Sequence, residues 1–197
     1  MTIGIIGAGN IGQAIAAQML RAGQDVVIAN SRGPETLTGV IEKLGAGARA
    51  GTIAEAAEND VVAVAVPWAH IREAVNGIEW DGRIVIDANN ALVMPDYKAA
   101  DLGGRASSVV FAEWVPGARV VKTANILLAS VLAEDPVVPA GRRVLFVSGD
   151  DQAAKDQVGE LFTAAGFRTV DVGDLETGSR LHQVPGAPLA RSLIATD

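Results

Sequence analysis

The 197-residue chain contains no cysteine. That excludes disulfides, cysteine–zinc sites, iron–sulfur clusters and thiol catalysis together. It has only two histidines, so a three-histidine zinc site is impossible, and no metal site is expected. Cations are scarce as well: 16 Lys and Arg stand against 23 Asp and Glu, a formal charge of −7. A nucleic-acid-binding surface is disfavoured by that balance. No apolar run approaches the ~18 residues of a membrane span. The opening MTIGIIG lacks the basic and long apolar parts of a secretory leader. The expectation is a soluble cytoplasmic protein without membrane or nucleic-acid partners. Charged residues are 20% and hydrophobic residues 49% of the chain, enough apolar material for a sizeable core.

What is present is alternation. Short apolar, β-branched runs at Ile3–Ile6, Val26–Ala29, Val61–Val66, Arg83–Asp87, Arg119–Lys122, Val144–Ser148 and Thr169–Val172 read as strands. Most are apolar throughout, the pattern of parallel strands covered on both faces. Between them, Asn10–Ala22 carries Ile11, Ile15 and Met19 at helical spacing. Asp151–Ala165 carries Ala154, Val158, Leu161, Phe162 and Ala165 on one face. Asp150 or Asp151 is placed to cap the second helix, and Gly166 to end it. Val93–Arg105 and Glu134–Arg142 read as loops. The order predicts an α/β fold: a Rossmann-type doubly wound, mostly parallel sheet with a small C-terminal βαβ extension. The boundary falls at 140/141, giving a dinucleotide-binding unit 1–140 and an extension 141–197 that can be continuous with the main sheet.

The sharpest motif is Gly7-Ala8-Gly9-Asn10-Ile11-Gly12, a GxGxxG that follows a strand and opens a helix. Gly7 permits the tight turn, Gly9 lets a pyrophosphate approach the backbone, and Gly12 lets the helix pack on the sheet. The first amides of the helix, with Asn10 and Ile11, then face the phosphates. About 18 residues after Gly12, where NAD sites place an acid on the adenosine ribose, the chain has Asn30-Ser31-Arg32. Asn30 does not repel a 2′-phosphate, Ser31 offers a hydroxyl, and Arg32 a planar guanidinium. NADP(H) is therefore expected over NAD(H).

Three further loops qualify for the nicotinamide end. In Val66-Pro67-Trp68-Ala69-His70, Pro67 can stiffen the loop and Trp68 supply a flat wall or simply cover the core. His70 can donate a proton or merely sit at a helix start. In Asp87-Ala88-Asn89-Asn90, Asn89 can bond the nicotinamide while Asn90 forms a turn. In Lys122-Thr123-Ala124-Asn125, Lys122 can be a proton donor, an anion anchor or half of a structural ion pair. Thr123 and Asn125 can cap the next helix, and Asn125 is also a candidate cofactor ligand.

The segments GIIGAGNIG, ANSRGPE, VVAVAVPW, IVIDANN, VVKTAN and GDDQAAK…GF…VDVG, in this order, resemble the NADP-dependent oxidoreductases of the coenzyme F-420 family. The resemblance implies NADPH binding, hydride exchange with a flavin-like acceptor such as F-420, and a homodimer. No obvious acid–base set is present, which suits hydride exchange with a deazaflavin, where the cofactor carries the chemistry. Two alternatives stay open. One is reduction of a small carbonyl or imine with His70, Tyr97 or Lys122 as proton donor. The other is a non-catalytic NADP-sensing module.

Overall fold

A computed structural model describes residues 1–196. The elements run β1 (Thr2–Ile6), α1 (Asn10–Arg21), β2 (Asp25–Ala29), α2 (Thr38–Leu44), β3 (Ala48–Ala50), α3 (Ile53–Ala57), β4 (Val61–Val64), α4 (Ile71–Ala74) and β5 (Ile84–Asp87). They continue with β6 (Leu92–Val93), β7 (Lys98–Ala99), α5 (Ser107–Trp114), β8 (Arg119–Lys122), α6 (Ala129–Ala133) and β9 (Val137–Val138). The last are β10 (Gly141–Gly149), α7 (Gln152–Ala165), β11 (Arg168–Asp171), α8 (Gly178–His182) and β12 (Ile194–Ala195).

The main path of the large sheet is β11-β10-β8-β5-β4-β1-β2-β3, with β9 and β12 also paired to β10. From β3 to β8 every pair is parallel. β1 pairs with β2 on one side and β4 on the other. The winding direction therefore reverses beside β1, which is where open α/β sheets bind ligands at their carboxyl ends. This is the Rossmann-type doubly wound fold.

Strand composition explains the two-sided burial. Successive side chains face opposite ways, and both faces are apolar. Ile3, Ile5, Val26, Ile28, Val61 and Ala63 pack toward α1, α6 and α7. Ile6, Val27, Val62, Val64 and Val85 pack with Trp80 and Phe111 on the other face. Each such valine or isoleucine contributes about 1.5–3 kcal/mol through burial.

The C-terminal βαβ is β10-α7-β11, with β10 and β11 parallel. β10 runs antiparallel to β8, so the sheet continues across residue 140. Asp151 caps α7 by accepting from the Ala154 amide at 2.7 Å, and Gly166 ends it in the left-handed region at φ 112°. Asp150 instead accepts from the Leu175 amide. Two loop readings need correction. The segment 93–105 begins inside an antiparallel hairpin of β6 and β7, and 134–142 contains β9 and the start of β10. The strand read as Val61–Val66 ends at Val64, because Ala65 and Val66 already belong to the turn that passes over Gly7.

Candidate functional site

The three cradle glycines are required for three different reasons. Gly7 sits at φ 111°, and a Cβ there would lie 2.3 Å from the Ala65 carbonyl oxygen. A Cβ on Gly12 would lie 1.8 Å from the Gly7 carbonyl oxygen, so α1 can pack this closely on the turn only with glycine. Around Gly9 the Cβ position is open, with nothing within 4 Å. Gly9 and Asn10 are exposed and Ile11 half-buried. No side chain caps α1, and its first turn holds no acid. The amides and positive dipole end of a twelve-residue helix are thus presented to solvent at the switch point. These residues fit a dinucleotide pyrophosphate.

At the end of β2 the chain makes a side-chain-built turn. Asn30 Oδ1 accepts from the Arg32 amide at 2.9 Å, and Asn30 Nδ2 donates to Thr36 Oγ1 at 2.9 Å. The Thr36 hydroxyl donates onward to the Gly33 carbonyl. Ser31 and Arg32 are exposed on this turn. Among the described residues Arg32 has no ion-pair partner, unlike Arg105 or Arg180.

Beyond β4, Val66 is half-buried, Pro67 and His70 are exposed, and a single helical turn spans Trp68–His70. Trp68 is half-buried and tilted against Trp114, with ring centroids 4.8 Å apart. His70 stands on the surface, and Lys122 lies inside the molecule. Of the three candidate proton donors, His70 and Tyr97 are exposed and Lys122 is buried.

Lys122 belongs to a buried polar row set by strand register. Val64 lies opposite Asp87, Asp87 opposite Lys122, and Lys122 opposite Ser148. Lys122 Nζ is 3.2 Å from Asp87 Oδ2 and donates to the Asn89 carbonyl at 2.7 Å, with neither charged side chain exposed. Asp87 also accepts from Ser108 Oγ at 2.6 Å and from the Asn89 amide and Nδ2. Asn89 Nδ2 donates in addition to the Val64 carbonyl. Lys122 thus takes the ion-pair position, and the Asn89 side chain turns inward to brace β4 against β5.

The Lys122–Asn125 loop needs a second correction. Neither Thr123 nor Asn125 caps α6, which starts at Ala129 with no side-chain cap. Ala124 adopts φ 57°, a left-handed conformation that costs a non-glycine residue about 1–2 kcal/mol and must be held from outside. The holder is Asn125. Its Nδ2 donates to Asn90 Oδ1 at 3.0 Å and to the His182 carbonyl at 2.8 Å, and its carbonyl accepts from Asn90 Nδ2. Its Oδ1 faces His182 Nδ1 at 3.0 Å. Because that oxygen only accepts, Nδ1 carries the proton; Nε2 then accepts from Ser148 Oγ at 2.9 Å. Desolvation, reinforced by the Lys122 charge and partly opposed by Asp87, pushes the His182 pKa down to about 3. The imidazole is therefore neutral at pH 7.

The sequence does not single out His182, Ser148 or Ser108, and it offers Asn90 only as a turn residue. His182 lies 34 residues from Ser148 and 57 from Asn125, and its local sequence HQVPG carries no motif. Among the described residues no cluster of three or more His, Cys, Asp or Glu could hold a metal ion, and no helix is long and apolar enough to cross a membrane.

Comparison with known proteins finds relatives of this fold. The chain is 45% identical to a hypothetical protein from Sinorhizobium meliloti whose crystal structure superposes with a TM-score of 0.93, covering 99% of this chain and 96% of that one. A protein from Arthrobacter sp. FB24 described as an F-420-dependent NADP-reductase is 26% identical, with a TM-score of 0.76 over 89% of this chain and 86% of that one. Metalloreductase STEAP3 of Rattus norvegicus is 28% identical over 185 residues, which is 93% of this chain. The chain spans about 36% of the length of the curated relatives it matches. Residues 2–91, from β1 through the Asp87–Asn90 loop, match the family described as NADP oxidoreductase, coenzyme F-420-dependent, so this dinucleotide-binding part of the chain is similar to that family of NADP oxidoreductases.

Proposed function

We propose that the protein exchanges hydride between NADP(H) and a planar, flavin-like acceptor of the coenzyme F-420 type. The observation that carries this reading is the pairing of the open Gly9 cradle with the exposed Arg32, without an ion-pair partner among the described residues, at the end of the neighbouring strand. Bound NADP(H) supplies a hydride at its nicotinamide. Gly7, Gly9, Asn10, Ile11 and Gly12 hold the pyrophosphate through backbone amides and close packing. Asn30 builds the turn that presents Ser31 and Arg32 to the 2′-phosphate. Val66, Pro67 and Trp68 border the nicotinamide end, with Asn89 and Asn125 shaping the loops beside it. In this reading residues 1–140 bind the dinucleotide and 141–197 complete the sheet and close the loops.

The buried groups support a flavin-like acceptor over a carbonyl. Ketone reduction needs a placed proton donor. Asp87 and Lys122 spend their hydrogen bonds on each other, on Ser108 and on Asn89, and the His182 ring spends its two on Asn125 and Ser148. His70 and Tyr97 are exposed and remain the side chains that can exchange a proton with solvent or acceptor. A conjugated ring disperses the developing charge, leaving the protein chiefly to position the two ring systems. The related proteins are named for reduction of a metal in one case and for F-420-dependent reduction of NADP in the other, so the partner in hydride exchange is the point to test. We place the protein in the cytoplasm as a homodimer.

The test mixes protein, NADPH and either F-420 or FMN while the nicotinamide absorbance band is followed. The expected result is turnover, faster with F-420. Tight NADPH binding with no turnover of either acceptor overturns the oxidoreductase reading in favour of a sensing module.

A further inference from the structure

Three loops meet at the carboxyl edge of the sheet, and one C-terminal segment ties them together. Asn90, after β5, accepts through Oδ1 from Asn125 Nδ2 and from the Val184 amide. Asn125, after β8, is held by both the carbonyl and the ring of His182. Gln183 Oε1 accepts from the Ser107 amide at the start of α5, and Arg180 donates to the Gly104 carbonyl. Ser148 of β10 anchors the far side of the imidazole. His182 and Ser148 are wholly buried, Asn125 nearly so, and Ala124 keeps its left-handed backbone within this arrangement.

We infer that His182 is a positioning residue for hydride transfer: it donates from Nδ1 to Asn125, and Asn125 with Asn90 sets the two loops bordering the nicotinamide end. This rests on the proposed function. The effect is directional. The Asn125 side of the imidazole sets loop geometry, whereas the Ser148 side only satisfies Nε2. A packing residue would show no such asymmetry. A displacement of about 1 Å at a hydride-transfer site costs on the order of a hundredfold in rate, so a small loop shift is measurable.

The asymmetry can be read with two shortened mimics. In His182→Asn the side-chain amide nitrogen falls where Nδ1 stands and can still donate to Asn125. In His182→Gln the amide falls where Nε2 stands, keeping a partner for Ser148 and losing Asn125. Ser148→Ala removes only the Nε2 partner. For the whole protein and each variant, the measurements are melting temperature, affinity for NADPH and for 2′,5′-ADP, the emission of bound NADPH, and hydride transfer to F-420 or FMN at saturating NADPH. The expected pattern is about ten- to a hundredfold slower transfer and altered nicotinamide emission in His182→Gln. His182→Asn and Ser148→Ala should stay within a few-fold of the parent despite lowered melting temperatures. Affinity for 2′,5′-ADP, which lacks the nicotinamide half, should be unchanged throughout. Rates that track melting temperature alone, or equal rates in the Asn and Gln variants, overturn the inference. If the parent binds NADPH but reduces neither acceptor, the proposed function fails, and nicotinamide emission still decides: a change confined to His182→Gln sustains the positioning role, and identical emission in all variants overturns it. A parent that binds no NADPH overturns both. Should the His182 variants not fold, Asn90→Ala at a half-exposed position cuts the same chain from the other end. Slowed transfer sustains the inference, and unchanged transfer overturns it.

Discussion

Lys122 stands directly across from Asp87 in the parallel register of β5 and β8, its ammonium 3.2 Å from the carboxylate and both side chains fully buried. Two charges in such a place are tolerable only because each is bonded further, Asp87 to Ser108 and Asn89, Lys122 to the Asn89 carbonyl. Removing one partner leaves the other charged and unmatched, which costs about 3–5 kcal/mol. Lys122→Met should therefore destabilise the protein by that amount in denaturant titration. The double change Asp87→Leu with Lys122→Met should recover much of the loss, since similar-sized apolar pairs often replace a buried ion pair without penalty. Loss of turnover in Lys122→Met at unchanged stability would instead make Lys122 a proton donor.

The cradle glycines separate binding from folding. Gly9→Val adds atoms where nothing lies within 4 Å, at an extended φ of −74° that valine readily adopts. The expected variant melts near the parent temperature and loses NADPH affinity by more than tenfold, because the side chain fills the space of the pyrophosphate. Gly12→Ala should do the reverse. Its Cβ would meet the Gly7 carbonyl at 1.8 Å, so α1 must move and the melting temperature falls before any ligand is added. Binding calorimetry beside thermal melts reads both.

These two sites also show what a sequence makes legible. The β1–α1 turn can be read because its requirements are local: three glycines within six residues, after an apolar strand and before a helical pattern. The ends of α7 were local too, an Asp and a Gly at fixed offsets. The direction of β10 was not. An apolar strand buried on both faces has the same composition whether its neighbour runs with it or against it, and β10 pairs antiparallel with β8. The His182 cluster was hidden for a related reason. Ser148 and Asn125 meet His182, and Asn90 meets Asn125, only through sheet order, and an Asn in a turn looks the same with or without a distant imidazole. Asn125 is legible from its place at a strand end, but there it bonds Asn90 and His182 and does not cap a helix.

Acid should expose the cost of keeping His182 neutral. Its pKa, lowered to about 3 in the folded chain by burial and by Lys122, returns to about 6.5 on unfolding. Between these values the unfolded chain binds a proton that the folded chain does not, so stability falls as pH falls. From pH 7 to pH 5 the loss is about 2 kcal/mol. The carboxylates of Glu55 and Asp174 are held below their ordinary range by the backbone amides of Thr52 and Thr177, respectively. Their stabilisation is lost only at lower pH, so they leave this window clear. Urea titrations at pH 7 and pH 5 should show the decrease in the parent and a flatter response in His182→Asn. Equal slopes in the two proteins would mean that His182 does not titrate on unfolding.

Cofactor choice rests on Arg32 and on how Asn30 presents it. Arg32 is exposed without an ion-pair partner among the described residues, on a turn fixed by its own amide donating to Asn30 Oδ1 at 2.9 Å. A charge-assisted bond from its guanidinium to a 2′-phosphate is worth about 1.5–3 kcal/mol, or roughly ten- to a hundredfold in affinity. Arg32→Ala should weaken NADPH by that factor and leave NADH nearly unchanged. Asn30→Asp brings a negative charge beside the phosphate. An aspartate keeps the oxygen that accepts from the Arg32 amide but loses the donation to Thr36 Oγ1, whose own proton already goes to the Gly33 carbonyl, so the turn keeps two of its three bonds. Combined with Arg32→Ala, it should narrow or invert the preference, since the carboxylate also offers the ribose hydroxyls of NADH an acceptor. Raised salt should weaken NADPH more than NADH in the parent, because only the phosphate contact is screened. Titration of both cofactors against parent and variants checks all of this, and equal affinities in the parent would remove Arg32 from the site before any variant is made.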